Sequence, residues 1–408
     1  MNVITRDSRP LITILAPKHV PFDERVLRTV EIAAEFGTAL YYYDPNSAGM
    51  AADLVTLSGR LQSAGSHTVQ LLPLPLRKGR GYCNRRVWVK QVGSLLSDLK
   101  TDVVHIHDSA TLGLEIAWML HRLNRDHRPK IIWDYHDWLP YEVATRVNNQ
   151  RALYRVFLPF AEVICKHWAR AVDVVVGISP GQLNYARRIL RIPRGVCVQN
   201  IRPHENMGSS DLSKENAHRL IWMGHVMRIR NIGFLLEVVR EISSRYPDAQ
   251  MHIWGAIIDR DFAEELRERI QQFGLGQRVC FKGPYKSDSD VRGSLASGAI
   301  GMVPGWDDPL RTGINAIAST NKFFSYLSLG LPVLLEDGLD NMVELAVSAG
   351  AGLTYQPIPK SCAQIIERIW EDNELWYGMR QGSLELSSRM HGEQAKDTLR
   401  DLYTDLLA

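Results

Sequence analysis

Apolar and polar positions alternate along this chain in two rhythms. Short, nearly continuous apolar runs recur at "LITILA" (11–16), "ALYYY" (39–43), "VVHIH" (103–107), "IIW" (131–133), "VDVVVGIS" (172–179) and "VCVQN" (196–200). Between several of them lie amphipathic stretches at 24–36, 85–99, 111–123 and 151–170. Continuous apolar runs predict strands buried on both faces, and the stretches between them predict helices that cover a parallel sheet. The rhythm breaks at "RPHENMGSSDLSKENA" (202–217), which is polar, turn-rich and without period, and this is the predicted interdomain linker. It then restarts with strands at 219–224, 250–255, 278–283, 299–304, 332–337 and 351–355, and helices at 232–246, 259–273, 288–297, 319–329 and 361–371. The pattern predicts two consecutive α/β units of comparable size, with no short repeat and no low-complexity tract.

Length agrees, since 408 residues exceed one ordinary core. No apolar run approaches the ~18 residues that span a bilayer. The apolar stretch near the N-terminus is of strand length, so it is read as the first strand and not as a signal peptide. Five scattered cysteines, without a CxxC pair, fit a reduced, cytoplasmic protein with no structural metal. Charge is uneven: residues 1–205 hold 27 Lys and Arg against 18 Asp and Glu, and the remainder holds 21 against 27. A basic first half suits an anionic partner or reflects drift between halves, since net charge speaks to association and not to fold.

Ligands of open parallel sheets bind past the carboxyl ends of the strands, so the residues there are the candidates. In the first half these are "APKHVPFDER", "HIHDS" and "DYHDWLPYE". His105 and His107 share one face of their strand. The HxH spacing also occurs in metal sites, but an eight-stranded barrel would carry it on its first strand. His105 is expected to be a satisfied core histidine, and His107 and Asp108 are the better site candidates. Asp134 is expected to shape its turn. In the second half, "WMGHVMRIRNIGFLLEVV" (222–239) reads as strand, glycine turn and helix. Gly224 allows close backbone approach, and Arg228 and Arg230 add charge beside a helix N-terminus, which makes either a phosphate cradle or a solvated basic turn. In "STNKFFSYLSLGLPVLLEDG" (319–338), Ser319 or Thr320 can cap a helix that ends at Gly330. Lys322 lies in its first turn, where the helix dipole disfavours a cation unless an anion binds there.

Taken together, these segments resemble the GT-B retaining glycosyltransferases of family 4 (glycosyltransferase group 1) over nearly the whole chain. The resemblance is carried by "FDERVLRTVEIAAEFG", "DVVHIHD", "DYHDWLPYE", "AVDVVVGISPGQLNYA", the turn from Gly224 to Arg230, "TNKFFSYLSLGLPV" and the closing "EQAKDTLRDLYTDLL". It implies a GT-B fold, with two Rossmann-like domains facing across a cleft. Residues 1–203, joined by a returning helix at 388–408, would take the acceptor, and residues 204–387 the nucleotide sugar. His136, Arg230 and Lys322 would be catalytic. Gly224, His225, Arg228, Asn321, Phe323, Ser325, Glu344, Asp307 and Asp308 would hold the donor. Asp23, Arg25, His107, Asp108, Asp137 and Glu142 would lie on the acceptor side.

The chain departs from the family pattern at four places. Arg230 and Asn231 replace a lysine and a glycine. Ser325 stands where the family has a ribose-binding glutamate, and Ile317 at its partner position. "PKHVPFDE" replaces a glycine-rich loop. The implied reaction moves a sugar, with retention, from a UDP-sugar or, next, a GDP-sugar to a hydroxyl of a glycan or lipid-linked acceptor, in cell-surface polysaccharide or glycoconjugate synthesis. It needs no metal or other cofactor. A silent GT-B partner subunit and a sugar-nucleotide epimerase are the alternatives. No nucleic-acid partner is expected. The basic, aromatic helix at 151–172 is either an amphipathic core helix with exposed arginines or a contact to the inner membrane surface.

Overall fold

The computed structural model describes the chain apart from residues 1–8, 18–22, 46–60, 62–68, 77–81, 124–126, 137, 148–149, 200–212, 286–287, 307–314, 316–319 and 391. Three predicted site residues, Asp137, Asp307 and Asp308, and most of the predicted linker lie outside the described residues. The chain divides into two compact units, Met1–Gln199 with Glu393–Ala408, and Asn200–Gly392.

Unit 1 runs β1 (Leu11–Ala16), α1 (Glu24–Phe36), β2 (Thr38–Tyr43), β3 (Val69–Pro73), α2 (Tyr82–Leu99), β4 (Val103–Asp108), α3 (Ala110–Leu123), β5 (Lys130–Tyr135), α4 (Leu139–Arg146), α5 (Arg151–Trp168), β6 (Val174–Gly177), α6 (Pro180–Tyr185) and β7 (Gly195–Cys197). The strands form one parallel sheet in the order β3-β2-β1-β4-β5-β6-β7. β1 is buried at every position because both of its faces are covered. Leu11 and Leu15 pack with Trp88, Val89, Leu114 and Cys165 of α2, α3 and α5. Ile12 and Ile14 pack with Val26, Leu27 and Val30 of α1. The sequence pattern missed β3, an edge strand whose residues are only half-buried, so its apolar run is interrupted by Gln70.

Unit 2 runs β8 (Ser213–Met223), α7 (Ile232–Ile242), β9 (Gln250–Trp254), α8 (Arg260–Gln272), β10 (Val279–Gly283), β11 (Ala296–Val303), α9 (Asn321–Ser328), β12 (Val333–Glu336), α10 (Asp340–Ser348), β13 (Gly352–Tyr355), α11 (Pro359–Glu371) and α12 (Asn373–Arg389). Its parallel sheet has the order β10-β9-β8-β11-β12-β13. β8 starts six residues before the predicted run at 219, in polar sequence, and its pairing with β11 shifts register twice there. The predicted helix at 288–297 is a short 3-10 turn, Asp288–Ser294, in a stretch rich in Ser, Asp and Gly. α12 escaped the pattern because its inward face mixes Trp376, Met379 and Leu386 with Arg380, Ser383 and Ser387. Two of those polar residues bond to backbone carbonyls: Ser383 Oγ donates to Leu331 O at 2.7 Å and Arg380 Nη1 to Gly330 O at 2.9 Å.

The closing helix, α13 (Gly392–Leu407), belongs to unit 1. Ala395, Leu399, Leu402 and Tyr403 recur at helical spacing and join the cluster of α1 and β1. Arg400 adds a bidentate pair to Glu35 of α1, at 2.8 and 2.9 Å.

Candidate functional site

Strand order reverses beside β1 and β4 in unit 1, and beside β8 and β11 in unit 2. Such switch points leave a crevice at the strand carboxyl ends where ligands bind. Each unit gathers its candidate side chains there.

In unit 1 the centre is Asp134, at the end of β5. Its carboxylate forms an ion pair with Arg25 from the first turn of α1, and both groups are buried. His105 and His107 project from one face of β4 with their rings stacked at 4.6 Å. His107 Nδ1 lies 3.3 Å from Asp134 Oδ2 and 3.0 Å from His136 Nε2, and His136 Nε2 is 3.5 Å from Asp134 Oδ1. Burial alone would raise the Asp134 carboxyl; Arg25, with His107, His105 and His136 behind it, overcomes that and holds it well below the usual range. Burial lowers His105, which is bonded through Nδ1 to the Tyr403 hydroxyl of α13 at 2.9 Å. Burial, and Arg25 next, also lower Arg28 to about 10.

His105, His107 and Asp134 offer ligand atoms within 4.8 Å of one another, a spacing a metal ion can use. The guanidinium already on Asp134 works against a second cation there. The expectation for His105, a satisfied core histidine, matches its burial and its bond to Tyr403 through Nδ1, but not Nε2, which is buried 3.7 Å from Asp134 Oδ2 without a hydrogen bond. For Asp134 the expectation was too small: it is a buried hub and not merely a turn former. Its signal was present as an acid at the end of an apolar run, two residues before His136.

Other predicted acceptor-side residues have structural partners. Asp23 caps α1, accepting from Arg25 N at 3.0 Å and Val26 N at 3.4 Å. Asp108 is buried and accepts from Ser109 N at 2.6 Å. Glu142 is buried too, and accepts from Thr111 N at 3.0 Å and Thr111 Oγ1 at 3.2 Å, at the start of α3. Its carboxylate is thereby bound to a helix N-terminus.

In unit 2, Gly224 follows β8 with φ +136°, and Gly255 follows β9 with φ +147°. A Cβ on Gly255 would lie 1.7 Å from the Gly224 carbonyl oxygen, so both turns need glycine to pack as they do. Lys322, in the first turn of α9, is buried with its ammonium 4.3 Å from the centroid of the Trp222 ring. Its chain passes Gly224, whose ideal Cβ would sit 3.7 Å from Lys322 Cε. Burial, and then the neighbouring Arg230, press the Lys322 ammonium well below its ordinary range. Arg230 lies with its guanidinium 4.4 Å from the Trp306 ring centroid. The next residue, Asn231, has φ +55°, a left-handed conformation that asparagine tolerates where the family has glycine.

Four residues of this cluster, Trp222, Trp306, Asn315 and Glu336, were not foreseen. Trp222 supplies the ring face beneath Lys322. Glu336, buried at the end of β12, accepts from Gly305 N at 2.9 Å, and Asn315 Oδ1 accepts from Trp306 N at 3.1 Å. Together they hold the Trp306 ring where Arg230 rests. Thr320 occupies the N-cap position of α9 but makes no side-chain cap bond; its hydroxyl lies 3.6 Å from Met342 Sδ. Asn321 and His225 are exposed. Arg228 turns away to Glu265 of α8 at 2.6 Å. Phe323 and Ser325 are buried on the inner side of α9, and Glu344 is exposed on α10.

Two parallel sheets, helices on both faces, a closing helix that rejoins the first unit and a buried lysine beside a glycine turn define the GT-B class of α/β proteins. The sequence profile described as Glycosyltransferase Family 4 matches residues 46–200, and the one described as Glycosyl transferases group 1 matches residues 217–372. The chain belongs to this family of glycosyltransferases. Its fold is similar to that of Alr3699/HepE from Anabaena, solved with UDP and glucose, at 14% identity and TM-score 0.68, covering 98% of this chain and 99% of that one. Sucrose-phosphate synthase from Thermosynechococcus elongatus is similar at 14% identity and TM-score 0.71, with the same coverage. The lipopolysaccharide glycosyltransferase WaaG is similar at 11% identity and TM-score 0.65, covering 96% and 99%. No curated protein matches the chain by sequence.

Proposed function

We propose that the protein transfers a sugar, with retention, from a nucleoside-diphosphate sugar to a hydroxyl of a glycan or lipid-linked acceptor. A UDP-sugar is the favoured donor and a GDP-sugar the next. The observation that carries this reading is Lys322. Among the described residues no carboxylate pairs with it, and burial beside Arg230 disfavours its charge. A diphosphate would supply the missing counter-charge, and in the transition state it gains more negative charge as the glycosidic bond breaks. Arg230, held on Trp306, would take a second phosphate oxygen. This requires no metal, so activity is expected to survive chelation. Solved complexes of HepE with UDP and UDP-glucose support the choice of uridine. Retention follows if the acceptor attacks the face the diphosphate leaves, with a phosphate oxygen accepting the acceptor proton. His136 keeps the catalytic role that the family resemblance implies, with its Nε2 oriented by His107 and Asp134.

A catalytically silent subunit is the second reading, favoured by Ser325, whose hydroxyl brings no charge where the family has a ribose-binding glutamate. Thermal shifts with UDP-, GDP- and ADP-sugars identify the donor, because a bound donor stabilises the fold by mass action. Lys322→Ala is expected to lower transfer at least ~100-fold, the effect of losing one preorganised charge contact. Near-normal turnover in that variant removes Lys322 from the mechanism, and measurable transfer by the wild type excludes the silent subunit.

A further inference from the structure

Helix α5 is apolar on the side that faces away from its own core. Tyr154, Leu158, Ala161 and Cys165 point inward and pack in unit 1. Outward lie Leu153 (41% exposed), Val156 (69%), Phe157 (49%), Phe160 (65%) and Val163 (68%). Leu153, Val156, Phe160 and Val163 follow the three-four-three spacing of one helical stripe, about 15 Å long. A helix apolar all round is ordinarily buried, and contiguous exposed apolar surface marks a contact site. The helix packs in the core and exposes Arg155, as one of the two sequence readings expects, but the centre of its exposed face is apolar.

The surroundings of the stripe are basic. Arg155 and Lys166 flank it, Arg170 follows the helix, and Arg187, Arg188 and Arg191 lie in the segment packed beside it; all six are exposed. Residues 151–194 contain eight Lys and Arg against two Asp and Glu. Of the two acids, Glu162 is bonded to the Tyr185 hydroxyl and Asp173 is paired with Arg128. A second copy of this face would set like charges against each other. The stripe holds no polar group that could specify a protein partner, and it is a convex helix surface, not a groove. Apolar side chains that enter acyl chains, with a basic rim that meets anionic headgroups, describe an interfacial helix. Among the described residues no helix is long and apolar enough to cross a membrane.

We propose that α5 docks the protein on an anionic lipid bilayer surface, with Val156, Phe160 and Val163 inserted and the arginines on the headgroups. The inference deepens the transferase reading, because it brings the chain to the surface where lipid-linked acceptors reside. The test is co-sedimentation of the full chain with vesicles of phosphatidylcholine alone, or of phosphatidylcholine with phosphatidylglycerol, at low and high salt. The wild type is expected to bind the anionic vesicles and to release from them as salt rises. Phe160→Glu/Val163→Glu should lower that binding at least ~10-fold, since two buried apolar side chains are lost. Its melting temperature and UDP-sugar binding should not change. Arg187→Ala/Arg188→Ala should weaken binding to anionic vesicles while leaving the stripe intact. Equal partition onto neutral and anionic vesicles, or undiminished binding by both variants, overturns the proposal. So does a wild-type dimer in sedimentation velocity that Phe160→Glu/Val163→Glu dissociates. A wild type that turns over sugar nucleotide but does not bind the anionic vesicles sinks only this inference, whereas a wild type that turns over no sugar nucleotide sinks the proposed function.

Discussion

Lys322 and Asp134 are buried charges handled in opposite ways. Asp134 has Arg25 as its counter-ion, so its folded value lies below the unfolded one of 3.8. Its stabilisation is complete above the unfolded value and is lost as pH falls through the folded one. Asp134→Asn leaves Arg25 buried without a partner, and is expected to destabilise unit 1 by about 3–5 kcal/mol, read by urea unfolding at neutral pH. Lys322 has no carboxylate partner among the described residues, so its folded value lies below the unfolded 10.5. Above 10.5 both states are neutral. Below it the unfolded chain holds a proton that the folded chain releases, so stability falls as pH drops toward the folded value. Lys322→Met should therefore raise the melting temperature of the ligand-free protein at neutral pH, flatten its alkaline pH dependence and abolish stabilisation by UDP-sugar. A variant melting below wild type would show that the ammonium is already neutralised. Lys322 stood out in the sequence because it contradicts the helix dipole. The pairing of Asp134 with Arg25 did not, because the two lie 109 positions apart and nothing local marks the pair.

At the level of elements, the sequence was legible where one residue type governs the geometry. β1 and α1 begin and end where the apolar period and Asp23 place them. The turn after β8 was marked by Gly224, but its dependence on Gly255 was not, since the two glycines meet only once β8 and β9 pair. Gly255→Ala would press a methyl group into the Gly224 carbonyl and requires a φ that alanine disfavours. We expect weaker UDP-sugar binding by isothermal titration, with the sheet retained by circular dichroism. Unchanged affinity would separate the turn from the donor site. Elements that tertiary context decides were harder to read. The edge strand β3 lacks a continuous apolar run, and α12 satisfies inward polar groups on backbone carbonyls that sequence alone does not show. Helix α5 was recognised as a helix from its period, but the direction its apolar face takes depends on which side the sheet occupies.

At the scale of the molecule, the alternation of strands and helices was enough to reveal two α/β units, and the order of motifs along the chain was enough to place the family. Strand order, and so the position of each switch point, came only from the structure. The helix at the end of the described chain closes unit 1: Leu399, Leu402 and Tyr403 share a core with β1 and α1, and the Tyr403 hydroxyl bonds His105 Nδ1. Deleting residues 393–408 should leave unit 1 unable to fold, seen as loss of soluble protein or as rapid proteolysis within residues 9–199. A soluble, protease-resistant truncation would refute this. The same connection imposes a sequence of events during synthesis. A ribosome exposes β1 and α1 first, but their missing helix emerges only after all of unit 2. The first-made half must therefore wait, with one flank of its sheet uncovered, while the later-made half can already close, so the order of completion inverts the order of translation.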